Sequence, residues 1–298
     1  MEVLRTPEDR FVGLPGHAFE PRYVEIAGLA GTLRMAYLDE GPRDGAPVLL
    51  LHGEPTWSFL YRNLVPVLVQ AGLRVVVPDL VGFGRSDKPA RREEHTYQRQ
   101  VDWTRAFADR LGLDGIRLLC HDWGGLIGLR MVAEQPDRFA RVLATNTGLP
   151  TGDRAPLDAF RAWRRYVQEV PQLSAGEVVA RYNVKPLPPD VAAAYDAPFP
   201  DEAYKGGARQ LPLLVPITPD DPSTEANRRA WESLSRYGRP LLTIFGDSDP
   251  FTAGVDRVLQ KKIPGAAGQP HAVLHAGHFI QEDAPQELAA RAASFFAG

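Results

Sequence analysis

Short apolar runs alternate along this chain with longer amphipathic stretches. The apolar runs 47–51, 74–78, 118–120, 140–145, 240–245 and 272–274 are typical of strands buried on both faces of a sheet. Helical patterns over 58–71, 96–111, 126–132 and 225–237 separate most of them. Two further strands, 23–26 and 32–38, come first and are joined by a Gly-containing turn, as in an antiparallel pair. The alternation predicts an α/β fold with a mainly parallel central sheet and helices on both faces.

The alternation stops between residues 151 and 227. Prolines are dense there, at 186, 188, 189, 198, 200, 212, 216, 219 and 222, and helical stretches such as 156–168 and 176–182 lie among them without a clear strand. This pattern favours an inserted helical cap over a second domain with its own sheet. We therefore predict a main domain built from 1–150 and 228–298, and a cap over 151–227.

Composition excludes several functional classes. The 298 residues are 44% hydrophobic and 24% charged, with a net charge of −3, so no basic surface is expected to bind nucleic acid. No apolar run approaches the length of a membrane span, and the N-terminal residues lack the apolar core of a signal peptide. The single cysteine, Cys120, cannot form an internal disulfide. We expect a cytoplasmic protein without membrane or nucleic-acid partners, as a monomer or weak homo-oligomer.

One stretch, Leu118 to Gly125, carries the most specific chemical signal. An apolar run passes through His121-Asp122-Trp123-Gly124-Gly125 into a helical pattern, which is the strand–turn–helix context of a nucleophile elbow. Asp122 stands where such elbows usually carry serine. A carboxylate is ionised at neutral pH without help from a base, so it can attack carbon directly and form an ester. The alternative is an Asp that only caps the following helix.

The loop after the third predicted strand is a second candidate. His52-Gly53-Glu54-Pro55-Thr56-Trp57 begins where a central strand ends, the edge at which ligand sites of open α/β sheets gather. We assign the backbone N–H of Glu54 to an oxyanion hole, and its side chain is placed to help hold a water. The Gly-rich segment 79–89 lacks the P-loop pattern and is interpreted as scaffold.

An acid and a histidine follow later in the chain. Asp247 and Asp249 both come just after the strand 240–245, and we favour Asp249 as the acid that orients a histidine. His278 follows the last strand and is predicted to open the final helix, whereas His52, His121, His271 and His275 are assigned structural roles. Asn146, at the end of another strand, is interpreted as a turn-former more than as a site residue. The order nucleophile, acid, histidine is that of the α/β-hydrolase fold.

These motifs together resemble the haloalkane dehalogenases of the α/β-hydrolase superfamily, over nearly the full chain. The matching stretches are His52 to Trp57, Gly82 to Pro89, Asp122 to Gly125 and Gly277 to Glu282. The second stretch is common in related hydrolases, whereas the other three together are quite specific. The resemblance implies an α/β-hydrolase fold with a helical cap, a small halogenated hydrocarbon as substrate, alcohol and halide as products, and no metal or organic cofactor.

The resemblance also implies roles for individual residues. Trp123 and the cap residue Trp163, within Phe160-Arg161-Ala162-Trp163, would donate their indole N–H groups to the halide, and Glu54 places the chain in the branch that uses two tryptophans. Asp122 would displace the halide. His278, with a pKa near neutral and oriented by Asp249, would then activate water, while the backbone N–H groups of Glu54 and Trp123 hold the oxyanion. The expected apolar pocket wall comprises Leu126, Phe160, Leu211, Val215, Phe251 and Phe279.

Alternative functions remain open at this point. His121-Asp122-Trp123-Gly124-Gly125 also resembles epoxide hydrolases, which share the Asp nucleophile and use two cap tyrosines; Tyr166, Tyr182, Tyr195 and Tyr204 are available. Epoxide hydrolases, however, usually have an aromatic residue at the position of Glu54. A fluoroacetate dehalogenase would need an arginine where Trp123 stands. A non-catalytic binding protein is disfavoured because Asp122, Asp249 and His278 are all present.

Overall fold

The central sheet of the computed structural model, which describes residues 2–28 and 31–298, has eight strands. The strands of the chain are β1 Val3–Leu4, β2 Arg22–Ala27, β3 Thr32–Glu40, β4 Pro47–Leu51, β5 Arg74–Pro78, β6 Lys88–Pro89, β7 Ile116–His121, β8 Phe139–Thr145, β9 Leu241–Gly246 and β10 Ala272–Leu274. Their order in the large sheet is β10-β9-β8-β7-β4-β5-β3-β2. All pairs from β10 to β5 are parallel, whereas β3 and β2 are antiparallel. The predicted mainly parallel sheet is confirmed.

Helices connect the strands and cover the sheet. They are α1 Val65–Gln70, α2 Tyr97–Arg110, α3 Trp123–Glu134, α4 Asp158–Glu169, α5 Ala175–Arg181, α6 Pro189–Asp196, α7 Gly206–Leu214, α8 Thr224–Leu234, α9 Val255–Lys262, α10 Ile280–Asp283 and α11 Pro285–Ala297. Helix α1 packs against α11, whereas α3 packs against α2 and α8. In the described residues, no helix is long and apolar enough to cross a membrane.

The core explains why the apolar runs predicted the sheet well. Every residue of β4 after its first is fully buried, as are Val75, Val76 and Val77 of β5. Parallel strands with helices on both faces have no solvent side, so their sequence shows no polar alternation. At the sheet edge, β2 instead alternates from Tyr23 onward between exposed positions and the partly buried Val24 and buried Ile26. The turn predicted between β2 and β3 includes residues 29 and 30, which lie outside the described part of the chain.

Two helix predictions need correction. The pattern over 58–71 predicted one helix, but the structure has a 3-10 turn at Ser58–Tyr61 followed by α1. Pro66 lacks an N–H, so it fits only in the first turn of a helix and fixes the start of α1 at Val65. His278 likewise does not open the final helix. Helix α10 begins at Ile280, and the last helix, α11, begins at Pro285.

The N-terminal arm, which precedes β2, contains a short strand that the sequence pattern does not predict. Val3–Leu4 pairs in an antiparallel manner with Lys88–Pro89. Arg5 adds a bidentate contact to the buried carboxylate of Asp87, at 2.6 and 3.1 Å. Each strand has only two residues, and the two lie more than eighty positions apart in the sequence. No local sequence pattern therefore predicts them.

Four helices, α4 to α7, follow β8 before the chain returns to the sheet through α8 and β9. No strand occurs among the described residues between Thr145 and Leu241, in agreement with the helical insertion predicted there. Trp57 of the main sheet's loop donates its indole N–H to Ala194 O of α6 at 3.1 Å. Thr6 of the N-terminal arm donates to Pro198 O at 2.6 Å, so this end of the insertion is attached at two separate points.

Candidate active site

Asp122 lies at a sharp turn between β7 and α3. Its backbone has a φ of 49° and a ψ of −123°, in a region that residues with a Cβ seldom adopt. At this turn the chain passes very close to the neighbouring strand β4. A Cβ on Gly124 would lie 2.1 Å from Leu51 O, so only glycine fits there. The elbow geometry predicted from the sequence therefore presents the Asp122 carboxylate at the carboxyl edge of the sheet.

The loop after β4 lies against the Asp122 carboxylate. The backbone N–H of Glu54 donates to Asp122 Oδ1 at 2.8 Å. A Cβ on Gly53 would lie 2.2 Å from the same oxygen, so glycine is required for this close approach. The His52 side chain contacts the loop and its neighbour. Its Nε2 accepts a hydrogen bond from Leu80 N at 3.0 Å, and its Nδ1 lies 2.9 Å from Gly53 O.

His278 lies between two carboxylates. Its Nε2 is 3.5 Å from Asp122 Oδ2, and its Nδ1 is 3.1 Å from Asp249 Oδ2, with an angle too bent for a standard hydrogen bond. Asp249 is buried and accepts hydrogen bonds from Phe251 N at 2.9 Å and from the hydroxyl of Thr252. Asp247 instead faces the exposed His275 at 3.1 Å on the surface. Of the two acids that follow β9, the structure thus brings Asp249 to His278.

The charges of these three groups stabilise one another. Burial alone would lower the pKa of His278, but the charge of Asp249 and the contact with Asp122 raise it to about 10. Burial would raise the pKa of Asp249, yet the charge of His278 lowers it to about 2. The pKa of Asp122 is likewise held below its ordinary value by His278, against the effect of burial. The two carboxylates therefore favour the protonated imidazole while Asp122 is charged, whereas the sequence-based expectation for His278 as the base is a pKa near neutral.

Backbone contacts from several elements fix the position of His278. Its N–H donates to Tyr182 O at 2.8 Å, and its carbonyl oxygen accepts from Asn146 Nδ2 at 2.8 Å. His121 Nε2 is 2.9 Å from the same carbonyl oxygen. Asn146, with a φ of 41°, also accepts from Gly246 N at 2.8 Å, so it joins three strand ends. These contacts give Asn146 and His121 structural positions beside the candidate base.

The Glu54 side chain is buried beside Asp122, and its Oε1 has no hydrogen-bond partner among the described residues. Burial raises the pKa of Glu54 well above its ordinary value, and the neighbouring charge of Asp122 adds to the shift. Two adjacent carboxylates do not both ionise readily in such a site, and His278 stabilises Asp122 more directly. Burial and the charge of Asp122 therefore favour the neutral acid form of Glu54 over that of Asp122.

A cavity of about 470 Å³ opens above these residues and separates the sheet edge from the cap. Asp122, Glu54, Trp123 and His278 line it from the main domain, and Trp163 lines it from α4. In the described residues, neither Trp123 nor Trp163 donates its indole N–H to a protein acceptor. By contrast, the indole N–H groups of Trp57 and Trp231 both reach backbone carbonyls, at 3.1 and 2.8 Å.

Five of the six residues predicted for the apolar wall line this cavity: Leu126, Phe160, Val215, Phe251 and Phe279. Leu211 does not. It is fully buried inside the insertion, while the next residue of α7, Pro212, reaches the cavity. Neighbouring helical residues point about 100° apart, so an error of one position moves a side chain off the cavity face.

The cap tyrosines do not converge on the nucleophile. Only Tyr182 lines the cavity, where its ring packs at 4.6 Å against Phe251. Tyr195 is buried and donates its hydroxyl to Glu282. Tyr166 stacks behind Trp163 at 5.8 Å, and neither it nor Tyr204 reaches the cavity. The structure therefore lacks, in its described residues, a tyrosine pair aimed at an epoxide oxygen.

Sequence reasoning missed the outer part of the cavity. Trp231 of α8, Val255, Val258 and Lys262 of α9, and the loop 149–157 all line it. Thr147, also missed, lines the inner part and donates its hydroxyl to Asp122 O at 2.7 Å. The spacing of 255, 258 and 262 on one helical face is a usable signal, but only once α9 is known to lie beside the site.

Comparison with known proteins agrees with this geometry. Residues 46–285 match the family model described as the alpha/beta hydrolase fold. A haloalkane dehalogenase of Psychrobacter cryohalolentis is 56% identical over 291 residues, covering 97% of this chain and 96% of that protein. A haloalkane dehalogenase of Mycobacterium marinum is 52% identical over 296 residues, covering 99% of this chain and 100% of that protein.

A solved structure gives the same result. The haloalkane dehalogenase DpaA from Paraglaciecola agarilytica NO2, described as tetrameric, superposes with a TM-score of 0.91 at 35% identity, and the match covers 100% of this chain and 99% of that one. The identities over nearly full length, together with the fold, confirm the family that the sequence motifs indicate. This chain belongs to the haloalkane dehalogenases of the α/β-hydrolase superfamily.

Proposed function

We propose that Asp122 is the nucleophile with which this chain hydrolyses carbon–halogen bonds of haloalkanes. Its ionised carboxylate attacks the carbon that bears the halogen, the carbon–halogen bond breaks, and an alkyl ester forms on the enzyme. The elbow turn and the hydrogen bond from Glu54 N hold the carboxylate toward the cavity. The lowered pKa keeps Asp122 in its attacking form.

The observation that carries the proposal is the pair of free indole N–H groups in the same cavity. Trp123 and Trp163 line it without a protein acceptor for either N–H in the described chain, while the cavity wall around them is largely apolar. A halide that develops charge as it leaves needs donors, and neutral donors stabilise it without holding an anion permanently. We assign both indoles to the leaving halide.

The second half of the reaction needs a base, and the first half creates it. Esterification removes the charge of Asp122, one of the two carboxylates that raise the pKa of His278. The pKa of the imidazole therefore falls after alkylation, and the imidazolium releases its proton to solvent. Neutral His278 can then take a proton from the water that attacks the ester carbonyl. Asp249 stabilises the resulting imidazolium. The backbone N–H groups of Glu54 and Trp123 hold the oxyanion, and alcohol is released.

The proposal also includes the role of the insertion, the cellular location and the oligomeric state. Residues 151–227 act as the cap that closes the cavity over the main domain, 1–150 and 228–298, and five apolar residues described above form the pocket wall. We place the protein in the cytoplasm, because its buried free Cys120 suits a reducing compartment. We assign it to the detoxification of haloalkanes, because the proposed reaction removes their halogen. A monomer or weak homo-oligomer is proposed, and light scattering against protein concentration tests it.

The experiment is bromide release from 1-bromobutane and 1,2-dibromoethane, run beside diol formation from styrene oxide. We expect bromide release and an inert epoxide. His278→Ala should then accumulate an enzyme heavier by one butyl group in mass spectrometry, and digestion should place the group on the peptide that contains Asp122. Asp122→Asn is the matched control and should form no adduct. Diol formation without bromide release would contradict the proposal.

A further inference from the structure

The outer end of the cavity carries positive charge that a neutral haloalkane does not need. Lys262 and Arg154 line the cavity and are exposed, whereas at its other end Trp123 and Trp163 are buried and Asp122 is partly buried. Asp153, the acid of this outer region, accepts from Arg228 at 2.5 Å, and this pairing lowers the pKa of Asp153. Among the described residues, neither Lys262 nor Arg154 forms an ion pair. This outer end, the mouth of the cavity, therefore carries a net positive charge.

Helix α9 joins the catalytic end to this mouth. It follows the loop of Asp249 and Phe251, and the Phe251 ring is 5.0 Å from the His278 ring. Val255 and Val258 of α9 line the cavity wall, and Lys262 lines it at the last residue of the helix. The opposite face of α9 is buried through Leu259. The cavity therefore has an apolar side that runs from the reacting groups to a cation.

Lys262 is positioned, although it is exposed. Its Nζ lies 4.7 Å from the centre of the Trp231 ring, a cation–π contact. The Trp231 ring is itself fixed, because its indole N–H donates to Leu149 O at 2.8 Å. Such a contact orients the ammonium group without neutralising it, so the charge remains available to a ligand. Low-dielectric walls also focus the field of charges at the mouth of a cleft.

We propose that this cavity accepts ω-haloalkanoates, with the halogen at the two tryptophans and the carboxylate at Lys262 and Arg154. The inference rests on the proposed function and names a substrate class for the same site. From Val255 to Lys262, α9 rises roughly 10 Å. An extended alkyl chain advances about 1.25 Å per carbon, so acids of roughly six to ten carbons match the length of this side of the cavity. The cavity volume, about 470 Å³, is in the range that encloses ligands of this size.

The chemistry of turnover is unchanged for such acids. Asp122 displaces the terminal halide, water hydrolyses the ester, and the product is an ω-hydroxyalkanoate with halide and a proton. The carboxylate takes no part in bond making. Its contribution is to binding, so the expected effect is on kcat/KM and depends on chain length.

The test compares 8-bromooctanoate with 8-bromooctan-1-ol, and 3-bromopropanoate with 3-bromopropan-1-ol, by bromide release. The readout is the ratio of kcat/KM for acid over alcohol within each variant. In the wild type this ratio should be higher for the long pair than for the short pair. Lys262→Met should lower the long-pair ratio about fivefold, Lys262→Glu further, and Arg154→Met in the same direction. Sodium sulfate should reduce the wild-type ratio toward that of the variants.

Lys261→Glu is the matched control. Lys261 is the adjacent exposed lysine, its change alters net charge as Lys262→Glu does, and it does not line the cavity. Its ratio should stay within about twofold of the wild type. The inference is overturned if the long-pair ratio is the same in the wild type and the Lys262 variants. It is also overturned if the Lys262 variants change inhibition by bromide but leave this ratio unchanged. If neither the acid nor the alcohol releases bromide, the proposed function itself fails, and the inference fails with it.

Discussion

The carboxylate of Asp283 joins the candidate base to the cap. Its Oδ2 accepts from Gly277 N, next to His278, at 2.7 Å, and from Val184 N at 2.9 Å, while its Oδ1 accepts from Lys185 N at 2.8 Å. Asp283 is fully buried. Together with the bond from His278 N to Tyr182 O, this makes residues 182–185 of the insertion part of the support for the base. We assign Asp283 as a positioning residue.

Asp283→Asn should slow hydrolysis of the alkyl-enzyme more than its formation. An amide offers one acceptor oxygen where three N–H donors converge, so the loop of Gly277 and His278 loses a fixed partner. Rapid-quench measurements should show a burst of bromide followed by a slower steady state than in the wild type.

The control for this variant is Glu287→Gln on the following helix. Glu287 pairs with Arg291 at 2.9 Å on the surface, so its loss should leave both phases unchanged. A purely structural role for Asp283 would lower thermal stability and the amount of active enzyme while the ratio of the two phases stays constant. That outcome would contradict the assignment.

The pKa of His278 should fall when Asp122 loses its charge. In the wild type, Asp249 and Asp122 raise the pKa of the His278 imidazole to about 10, against the effect of burial. Asp122→Asn imitates the neutral ester, so one of the two stabilising charges disappears. NMR titration of ¹³C-labelled histidines should show His278 protonated through neutral pH in the wild type and titrating at a lower pH in Asp122→Asn.

His275 provides the internal control for this titration. It is exposed and contacts Asp247 rather than the site, so its ring resonances should coincide in the spectra of the two proteins. An unchanged His278 pKa in Asp122→Asn would mean that alkylation does not release the base. The water-activating step would then need another proton acceptor.

The inner half of the site could be predicted from the sequence because its residues follow strand ends. Parallel strands bring their carboxyl ends to one edge, so residues as distant as Glu54, Asp122, Asp249 and His278 could be placed together from the apolar runs that precede them and the motifs in which they lie. The elbow glycines gave a second, local signal, since close backbone contacts tolerate no side chain.

The outer half could not be predicted in this way. Its residues come from helix faces and from the loop 149–157, whose orientation depends on packing between the insertion and the main domain. Leu211 was assigned to the wall although Pro212 occupies that place, because the sequence fixes helical spacing but not rotation about the helix axis. The raised pKa of His278 in the presence of charged Asp122 could not be predicted either, because it depends on the distances of two carboxylates.

Trp163→Phe should weaken bromide binding by about tenfold or more and lower kcat. Phenylalanine keeps an aromatic ring against Tyr166, which stacks on Trp163 at 5.8 Å, but it removes the N–H donor. Bromide binding can be followed by quenching of tryptophan fluorescence. Trp103→Phe, a buried change beside His95 and outside the cavity, is the matched control and should leave bromide binding unchanged. Equal bromide affinity in Trp163→Phe and the wild type would show that the second donor lies elsewhere.

Glu54→Gln should retain most of the wild-type activity, whereas Glu54→Ala should lose much more. Burial and the charge of Asp122 raise the pKa of Glu54 well above its usual range, which favours the neutral acid, and an amide resembles the neutral acid in size and polarity. Alanine leaves a gap beside the ester where Glu54 Oε1, free of protein partners in the described chain, faces the Asp122 carboxylate region. The measurement is the rate of alkyl-enzyme hydrolysis in single turnovers across pH. If glutamine is as damaging as alanine, Glu54 acts as a carboxylate, and the assignment of Asp122 and Glu54 as a charged and a neutral acid is wrong.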